Sequence, residues 1–371
     1  MSALRTVRLL ACILASVVAV SASVQSRAYP LIRDDGTVEF SITAPNAQTV
    51  GVLTDLQFLP LSPLGDGRWA GVLSMPPEIY RYVYLVDGQT VPDSANLDIV
   101  PGYGPTFPMN YFEVPGDGSQ AYEFRTDVEY GRVERIRYYS PVLQRMRQMH
   151  VYTPAGYDYK KGRGYFRTYP VLYLLGGAGE SDSQWSTVGR AGVILQNLIE
   201  DGLAKPMIIV MPNNHIQEPG QVTPEGVDIG DELLDVVVPY VDQHYRTRGG
   251  RKGRALAGLS AGGFTTLVHG FSNLDTFSHL GVFSSGLFGG TEGFEATNRD
   301  ILQDPATNKR LRVFWFGMGT GDFLYDTGRE TREMFDRYGI EYQYYENGLG
   351  HDWFSWREFL TEFSPLLFRG R

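Results

Sequence analysis

The stretch RALAGLSAGGF, residues 254–264, places a serine at position 260 in the pattern Gly-x-Ser-x-Gly. The pattern alone is weak support for a function, because a chain of 371 residues with 43 glycines easily matches it by chance. Its surroundings are more informative, since RALAG has the composition of a buried strand and AGGFTTLVHGF that of a helix. The sequence therefore predicts that Ser260 lies on a sharp strand-to-helix turn, where Gly258 and Gly262 leave room for closely packed backbone.

Short apolar runs recur on both sides of this turn, with helical stretches between them. The runs are VLYLL (171–175), MIIVMP (207–212), LGVFSS (280–285) and RVFWFGM (312–318). Helical periodicity is present in ELLDVVVPYVDQHY (232–245) and RETREMFDRYG (329–339). Strands that are buried on both faces and alternate with helices indicate an α/β fold with a doubly wound, mostly parallel sheet.

The preceding part of the chain has a different pattern. GTVEFSI (36–42) and IYRYVYLV (79–86) alternate between apolar and polar residues, and the second run ends in an Asp-Gly turn. This alternation predicts a small all-β, immunoglobulin-like sandwich over residues 29–116. We expect a linker at 117–130 and the α/β domain at 131–371.

The first 28 residues have the composition of a secretory signal peptide. Arg5 and Arg8 precede an apolar run that is too short to cross a bilayer comfortably, and small residues follow. Cleavage is expected after Ala22 or Ala28, and lipidation at Cys12 is the less favoured alternative. The mature protein is therefore predicted to be secreted or periplasmic, with no membrane attachment.

Composition excludes several classes of site. Cys12 is the only cysteine, so the mature chain offers no disulfide, no thiolate metal site and no cysteine nucleophile. The formal net charge is −9 and there is no basic run, which argues against nucleic acid or anionic lipid as a partner. No His/Asp/Glu cluster has metal-ligand spacing, so neither a metal nor another cofactor is expected.

A serine hydroxyl needs a base to take its proton and an acid to orient that base. In α/β-hydrolases the order along the chain is serine, acid, histidine, which favours His351 after the loop NGLG. His269 and His279 also follow the serine, but their positions in a helix and at a strand start favour packed or solvated side chains.

The acid is expected between the serine and the histidine, just after a strand. Asp322 follows RVFWFGM and a glycine-rich turn, which makes it the favoured acid. Asp326 is the alternative, although it is expected to cap the next helix. Asp352 comes after the histidine in order and, as its direct neighbour, is poorly placed to orient the ring.

An oxyanion hole would require two backbone N–H donors close to Ser260. One is expected from Ala261 at the start of the helix. The other is expected from Ala178, because VLYLLGGAGESDSQW describes a strand that runs into a glycine-rich loop.

Residues from about 130 to 369 resemble an α/β-hydrolase of carbohydrate esterase family 1, the esterase D type. The resemblance rests on YPVLYLLGGAGESDSQW, KPMIIVMPNNH, LLDVVVPYVDQHYRT, RALAGLSAGGF, FWFGMGTGDFLYD and GLGHDW. The family's serine, acid and histidine fall on Ser260, Asp322 and His351. One position departs from the family pattern, because Gly176 stands where a histidine is usual before the oxyanion turn. Residues 30–113 resemble the E-set domain related to family 48 carbohydrate-binding modules.

The resemblance implies a secreted serine esterase that acts on acylated plant polysaccharide. Feruloyl esters are the first expectation, acetyl xylan the second, and a siderophore ester a further alternative. A carbohydrate-binding protein with a decayed hydrolase domain is the alternative from another class. His215, Trp185 and Trp353 are the candidate substrate-binding residues, and Phe323 and Phe354 lie near the same loops.

Overall fold

The computed structural model describes residues 30–101, 108–157, 167–216 and 224–369. The predicted signal peptide lies outside these residues. No helix within these ranges is both long enough and apolar enough to cross a membrane.

The N-terminal region is a sandwich of two antiparallel sheets, as the alternating sequence pattern predicts. Its strands are β1 (Leu31–Ile32), β2 (Thr37–Thr43), β3 (Val50–Thr54), β4 (Phe58–Pro60), β5 (Ser62–Pro63), β6 (Arg68–Ser74), β7 (Glu78–Val86), β8 (Gln89–Val91), β9 (Ile99–Val100) and β10 (Met109–Val114). One sheet has the order β1-β2-β6-β5, and the other has the order β4-β3-β7-β10-β9 with β8 beside β7. The side chains that alternate inward form the core, including Val38, Phe40, Val52, Tyr80, Tyr82, Tyr84 and Phe112.

The remaining strands form one eight-stranded mixed sheet. They are β11 (Arg132–Ser140), β12 (Arg145–Thr153), β13 (Val171–Leu175), β14 (Ile208–Pro212), β15 (Arg254–Leu259), β16 (His279–Phe283), β17 (Val313–Gly319) and β18 (Gln343–Asn347). Their order is β11-β12-β14-β13-β15-β16-β17-β18, parallel from β14 to β18, with an antiparallel hairpin at the β11 edge. Every residue of β13, β14, β16 and β17 is buried, which explains their continuous apolar runs.

Helices cover both faces of this sheet. They are α1 (Ala191–Glu200), α2 (Ile229–Asp231), α3 (Val238–His244), α4 (Ala261–Thr265), α5 (Glu292–Thr297), α6 (Arg299–Gln303), α7 (Thr307–Arg310), α8 (Tyr325–Arg337) and α9 (Trp353–Phe363). A π-helical turn, Glu232–Val237, joins α2 to α3, and another, Thr266–Phe271, extends α4. The side chains of α1 and α9 pack on one face, and those of α3, α8 and the two π turns pack on the other. The α/β-hydrolase fold class is therefore confirmed.

The sandwich contacts the α/β region through α9. Arg357 is 1% exposed and forms an ion pair with Glu78 of β7 at 2.7 Å. It also donates to the backbone oxygens of Ile79 and Val188. The predicted linker at 117–130 packs on α1, since Asn197 donates to two of its carbonyl oxygens.

Candidate active site

Ser260 lies between β15 and α4 with φ 51° and ψ −117°. A positive φ is uncommon for a residue with a side chain, so packing must hold this turn in place. The Ser260 N–H donates to the carbonyl oxygen of Phe283 at 2.9 Å, and the Ser260 carbonyl accepts from the Ser285 hydroxyl at 2.6 Å. The neighbouring strand β16 and the loop after it therefore fix the backbone that presents the Ser260 hydroxyl.

Glycine is needed on both sides of this turn. A Cβ atom on Gly258 would lie 2.5 Å from the carbonyl carbon of Gly262. A Cβ atom on Gly262 would lie 2.6 Å from the carbonyl oxygen of Gly176. Both distances are far below van der Waals contact, so the close backbone approach predicted from the sequence is present.

Asp322 and His351 are brought together by the loops after β17 and β18. His351 Nδ1 lies 2.9 Å from each carboxylate oxygen of Asp322, and the Leu324 N–H donates to Oδ1 at 2.8 Å. With Nδ1 donating to the carboxylate, Nε2 is left as the acceptor nitrogen of the ring. The Asp322 side chain is buried, whereas that of His351 is 14% exposed.

Two opposing effects act on the pKa of Asp322. Burial alone would raise this pKa, but the hydrogen bonds from His351 and from the Leu324 N–H outweigh burial and lower it below its ordinary value. The carboxylate is therefore ionised at neutral pH and can stabilise a positive charge on His351.

Ser260, Asp322 and His351 follow β15, β17 and β18, whose carboxyl ends meet at one edge of the parallel sheet. The structure, in the residues that it describes, has no hydrogen bond between Ser260 and His351. Such contacts are often long without substrate and shorten in the complex. Within the described residues, the sheet edge thus presents a serine hydroxyl that forms no hydrogen bond and, after β18, an imidazole held by a buried carboxylate.

The glycine-rich loop after β13 lies directly against Ser260. A Cβ atom on Gly177 would be 3.3 Å from Ser260 Cβ. Among the described residues, neither the N–H of Ala178 nor that of Ala261 donates to another group. An oxyanion requires two N–H donors near the serine, and the N–H groups of Ala178 and Ala261 stay the predicted pair.

Glu180 occupies the space beside Gly176, where the family usually has a histidine. Glu180 is 1% exposed, and its Oε2 accepts a hydrogen bond from the Gly177 N–H at 2.9 Å. A Cβ atom on Gly176 would lie 3.1 Å from that oxygen. Sequence reasoning missed this residue, and the only signal for it was an acidic residue inside a glycine-rich loop.

His215 contacts the same loop. Its Nε2 accepts a hydrogen bond from the Gly179 N–H. The backbone N–H of His215 donates to Asn213 Oδ1 at 2.8 Å. The neighbouring Asn214 donates to the carbonyl oxygen of Gly176 at 3.2 Å. The His215 ring, which was predicted to bind substrate, therefore supports the glycine-rich loop after β13.

The two tryptophans predicted to bind substrate belong to the core. Trp185 and Trp353 are each 2% exposed, and their rings pack edge to face at 5.0 Å. The prediction failed because a tryptophan in a loop beside a catalytic edge has the same sequence signature whether it points outward or inward. Phe354 packs on Tyr80 of the sandwich at 5.7 Å, whereas Phe323 is 76% exposed and lies 4.4 Å from the His351 ring.

The alternative acids have other contacts. Asp326 is exposed and pairs with Arg329, and the residue at the N-cap of α8 is Leu324, so the expectation that Asp326 caps this helix is wrong. Asp352 caps α9 by accepting from the Ser355 N–H at 2.9 Å.

The other two histidines after Ser260 have packing contacts, as predicted. His279 is 1% exposed, and burial lowers its pKa to about 4. His269 lies 3.6 Å from Asp228. Within the described ranges, no group of three or more His, Cys, Asp or Glu side chains is arranged to hold a metal ion.

Residues 140–367 match a family model described as "Putative esterase". The chain belongs to this esterase family. The match covers more than half of the chain and includes Ser260, Asp322 and His351. Together with the fold, this membership supports ester hydrolysis as the activity.

Two curated relatives bear esterase names. An endo-1,4-beta-xylanase/feruloyl esterase of Xylanibacter ruminicola is 28% identical over 353 residues, which are 92% of this chain and 46% of the relative. Esterase Rv1288 of Mycobacterium tuberculosis is 36% identical over 109 residues, which are 28% of this chain and 22% of the relative. The chain therefore spans about half of the first relative and about a fifth of the second.

Solved structures share the fold. A CE1 ferulic acid esterase from Anaeromyces mucronatus is 28% identical with a TM-score of 0.55, covering 67% of this chain and 95% of that one. The enterobactin esterase of Shigella flexneri has a TM-score of 0.59 at 15% identity, covering 89% of this chain and 92% of that one. The resemblance to carbohydrate esterase family 1 is thus confirmed. The resemblance of residues 30–113 to family 48 modules stays a prediction.

Proposed function

We propose that the protein is a secreted serine esterase that releases hydroxycinnamic acids of the ferulic type from acylated plant polysaccharide. The observation that carries the proposal is the buried Asp322 carboxylate, 2.9 Å from His351 Nδ1, at the sheet edge where Ser260 sits on its strained turn. Relatives named for feruloyl ester hydrolysis support the acyl class, and one of them has been solved in complex with ferulic acid.

In the proposed reaction, Ser260 Oγ attacks the ester carbonyl carbon while His351 Nε2 takes the hydroxyl proton. The oxyanion that forms accepts hydrogen bonds from the N–H groups of Ala178 and Ala261. The bond between the acyl carbon and the sugar oxygen then breaks, and His351 gives the proton to the departing sugar alkoxide. Asp322 orients the ring and stabilises its charged form throughout.

Water completes the cycle. His351 takes a proton from water as the water oxygen attacks the acyl-enzyme carbonyl. The bond to Ser260 Oγ then breaks, the proton returns to the serine, and the free acid leaves.

Aromatic side chains beside His351 and on the segments that follow β15 and β16 support an aromatic acyl group. Phe323 is exposed beside His351. Phe264, whose N–H donates to the Ser260 carbonyl oxygen, stacks on Phe288 with ring centroids 5.1 Å apart. Phe288 is 42% exposed, and the two rings line a cavity of about 310 Å³. Flat apolar rings favour stacking with another aromatic ring over contact with a small acetyl group.

The test is Ser260→Ala, assayed on methyl ferulate and on p-nitrophenyl acetate. We expect kcat to fall by roughly 10⁶, as when a nucleophile of this type is removed, with an unchanged melting temperature. Activity within tenfold of the wild type would refute the assignment of Ser260 as nucleophile.

A substrate panel separates the acyl classes. The proposal predicts that methyl hydroxycinnamates and feruloylated arabinoxylan are hydrolysed faster than acetylated xylan or a catecholate trilactone. Faster hydrolysis of acetylated xylan or of the catecholate trilactone would contradict the feruloyl assignment. The proposed esterase mechanism would still hold.

A further inference from the structure

A second cavity lies between the sandwich and the α/β region. Its volume is about 370 Å³, and it contains none of the residues of the proposed reaction. Tyr111 of β10 lines one side, Phe124 and Tyr130 of the connecting segment line another, and Tyr152 of β12 and Arg190 complete the walls. This size falls within the range of small-molecule sites, and such sites often form where two domains meet.

The aromatic walls are held in position before any ligand arrives. The Tyr130 hydroxyl donates to Asn197 at 2.9 Å, and the Tyr152 hydroxyl donates to Gln196 at 2.7 Å. Phe124 packs edge to face on Tyr130 at 5.1 Å and is 59% exposed. A rigid aromatic surface that stays open to solvent lowers the ordering cost of binding a ligand with an apolar face.

Two polar groups line the same space without hydrogen-bond partners among the described residues. They are the exposed carboxylate of Asp98 and the hydroxyl of Tyr111. Arg190 also lines the cavity, but its Nη1, which has no partner among the described residues, is buried in the wall. Arg190 Nη2 is bound by Glu113 at 2.6 Å, and its guanidinium lies 4.5 Å from the centre of the Phe124 ring. Arg190 also has a positive φ of 49°, a conformation that the surrounding structure must enforce.

The charges around the cavity disfavour an anion. Glu113 neutralises Arg190, and Asp98 adds a negative charge on the other side of Tyr111. Burial and the charge of Asp98 raise the pKa of Tyr111, which keeps its hydroxyl protonated. The cavity therefore offers an acceptor in the Asp98 carboxylate and, in the Tyr111 hydroxyl, a group that both donates and accepts, within neutral to acidic surroundings.

We propose that this cavity binds neutral sugar residues of the polysaccharide, apart from the acyl group. A sugar ring presents a face of C–H bonds that packs on aromatic rings, and hydroxyls that both donate and accept hydrogen bonds. Asp98 accepts from them, and Tyr111 both donates to them and accepts from them, while Phe124 and Tyr130 provide the aromatic faces. The inference rests on the proposed function, since it names the saccharide part of the same substrate.

Part of the cavity wall and the glycine-rich loop after β13 belong to one continuous segment. Residues 176–190 run from the glycine-rich loop, whose Gly177 lies against Ser260, to Arg190 in the cavity wall. The buried Trp185 anchors this segment on Trp353. Sugar residues bound in the cavity would therefore tether the polysaccharide close to the loop that holds the ester.

Titration calorimetry with xylohexaose, which has no ester, tests the proposal on the full mature chain. We expect the wild type to bind, and Phe124→Ala and Asp98→Asn each to weaken binding by roughly tenfold, the effect of losing one good contact. Tyr139→Ala is the matched control, because Tyr139 is also 59% exposed but does not line the cavity. The preference for feruloylated arabinoxylan oligosaccharides over methyl ferulate should fall by the same factor in the two cavity variants.

The possible outcomes separate this proposal from the esterase assignment. Absence of xylohexaose binding by the wild type, or unchanged affinity in both cavity variants, overturns the proposal even when methyl ferulate is hydrolysed. Binding of free ferulate in place of xylohexaose also overturns it. If xylohexaose binds and the cavity variants weaken it while no ester is hydrolysed, the cavity assignment stands and the proposed function fails.

Discussion

Two groups of serine, histidine and aspartate in the described part of the chain differ in geometry, and the group at the sheet edge has the features that the proposed ester hydrolysis requires. At the sheet edge, Ser260 sits on a strand-to-helix turn, and His351 turns Nδ1 toward a buried carboxylate. In the other group, the Ser186 hydroxyl donates to the Ser183 carbonyl oxygen at 2.8 Å and contacts His150 Nδ1. Asp182 lies 3.7 Å from His150 Nε2, beyond hydrogen-bond distance.

The difference between the two groups comes from the backbone. Ser186 lies in a turn, and its hydroxyl already donates to the Ser183 carbonyl oxygen. It does not directly precede a helix, whereas Ser260 directly precedes α4. Burial lowers the pKa of His150 and raises that of Asp182, so this pair favours its neutral forms. Residue types alone therefore do not define a catalytic group. A catalytic group is defined by the turn that presents the serine and by the backbone N–H groups next to that turn.

The largest expected contrast is between the two histidines. His351→Gln should lower kcat for methyl ferulate by roughly 10⁶, because Ser260 then has no base. His150→Gln should leave kcat close to the wild-type value. Steady-state kinetics on both purified variants measures the contrast. Losses of kcat of similar size in the two variants would contradict the distinction between the two histidines.

A smaller effect is expected at the glycine-rich loop after β13, residues 176–179, which lies against Ser260. Glu180→Ala should lower kcat by roughly 10- to 100-fold, since the Gly177 N–H loses its acceptor and the loop with Ala178 shifts. Glu180→Gln keeps an acceptor oxygen and should restore most of kcat, while KM stays similar in both variants. A loss of stability without any loss of kcat would show that Glu180 has only a structural role.

The tight turn itself predicts a stability difference. Gly258→Ala should reduce the free energy of unfolding by about 1–3 kcal/mol, because the new Cβ collides with Gly262. Gly249→Ala is the control, since a Cβ there meets no atom within 4 Å. Urea denaturation of both variants measures the contrast, and equal stabilities would mean that the turn can relax.

The smallest effect is a pH dependence from Asp322. Its pKa in the folded state lies below its ordinary value, so its ionised form adds stability above the pKa of the unfolded state. That contribution is lost as the pH falls through the folded-state pKa. The difference in unfolding free energy between the wild type and Asp322→Asn should therefore be greatest near neutral pH and shrink below pH of about 4. A difference that stays constant with pH would contradict this account.

Much of the fold was predictable because its signals are local. The continuous apolar runs became β13 to β17, and the alternating runs became the strands of the sandwich. The order of Ser260, Asp322 and His351 after three strands could be read in the same way, since parallel strands end at one edge.

What could not be predicted depends on contacts between distant segments. Glu180 fills the space beside Gly176 only because the loop folds back on itself, and Ser285 supports Ser260 from the loop after the neighbouring strand β16. The inward orientation of Trp185 and Trp353 is set by their mutual packing, which neither local sequence contains. The cavity at Arg190 exists only where the two regions meet.

Covalent labelling tests the central claim most directly. A fluorophosphonate reacts with a serine that has an activated hydroxyl, and peptide mapping by mass spectrometry identifies the modified residue. The account predicts a single adduct on Ser260 that is absent from the Ser260→Ala variant. An adduct on Ser186, or no adduct in a folded protein, would contradict it.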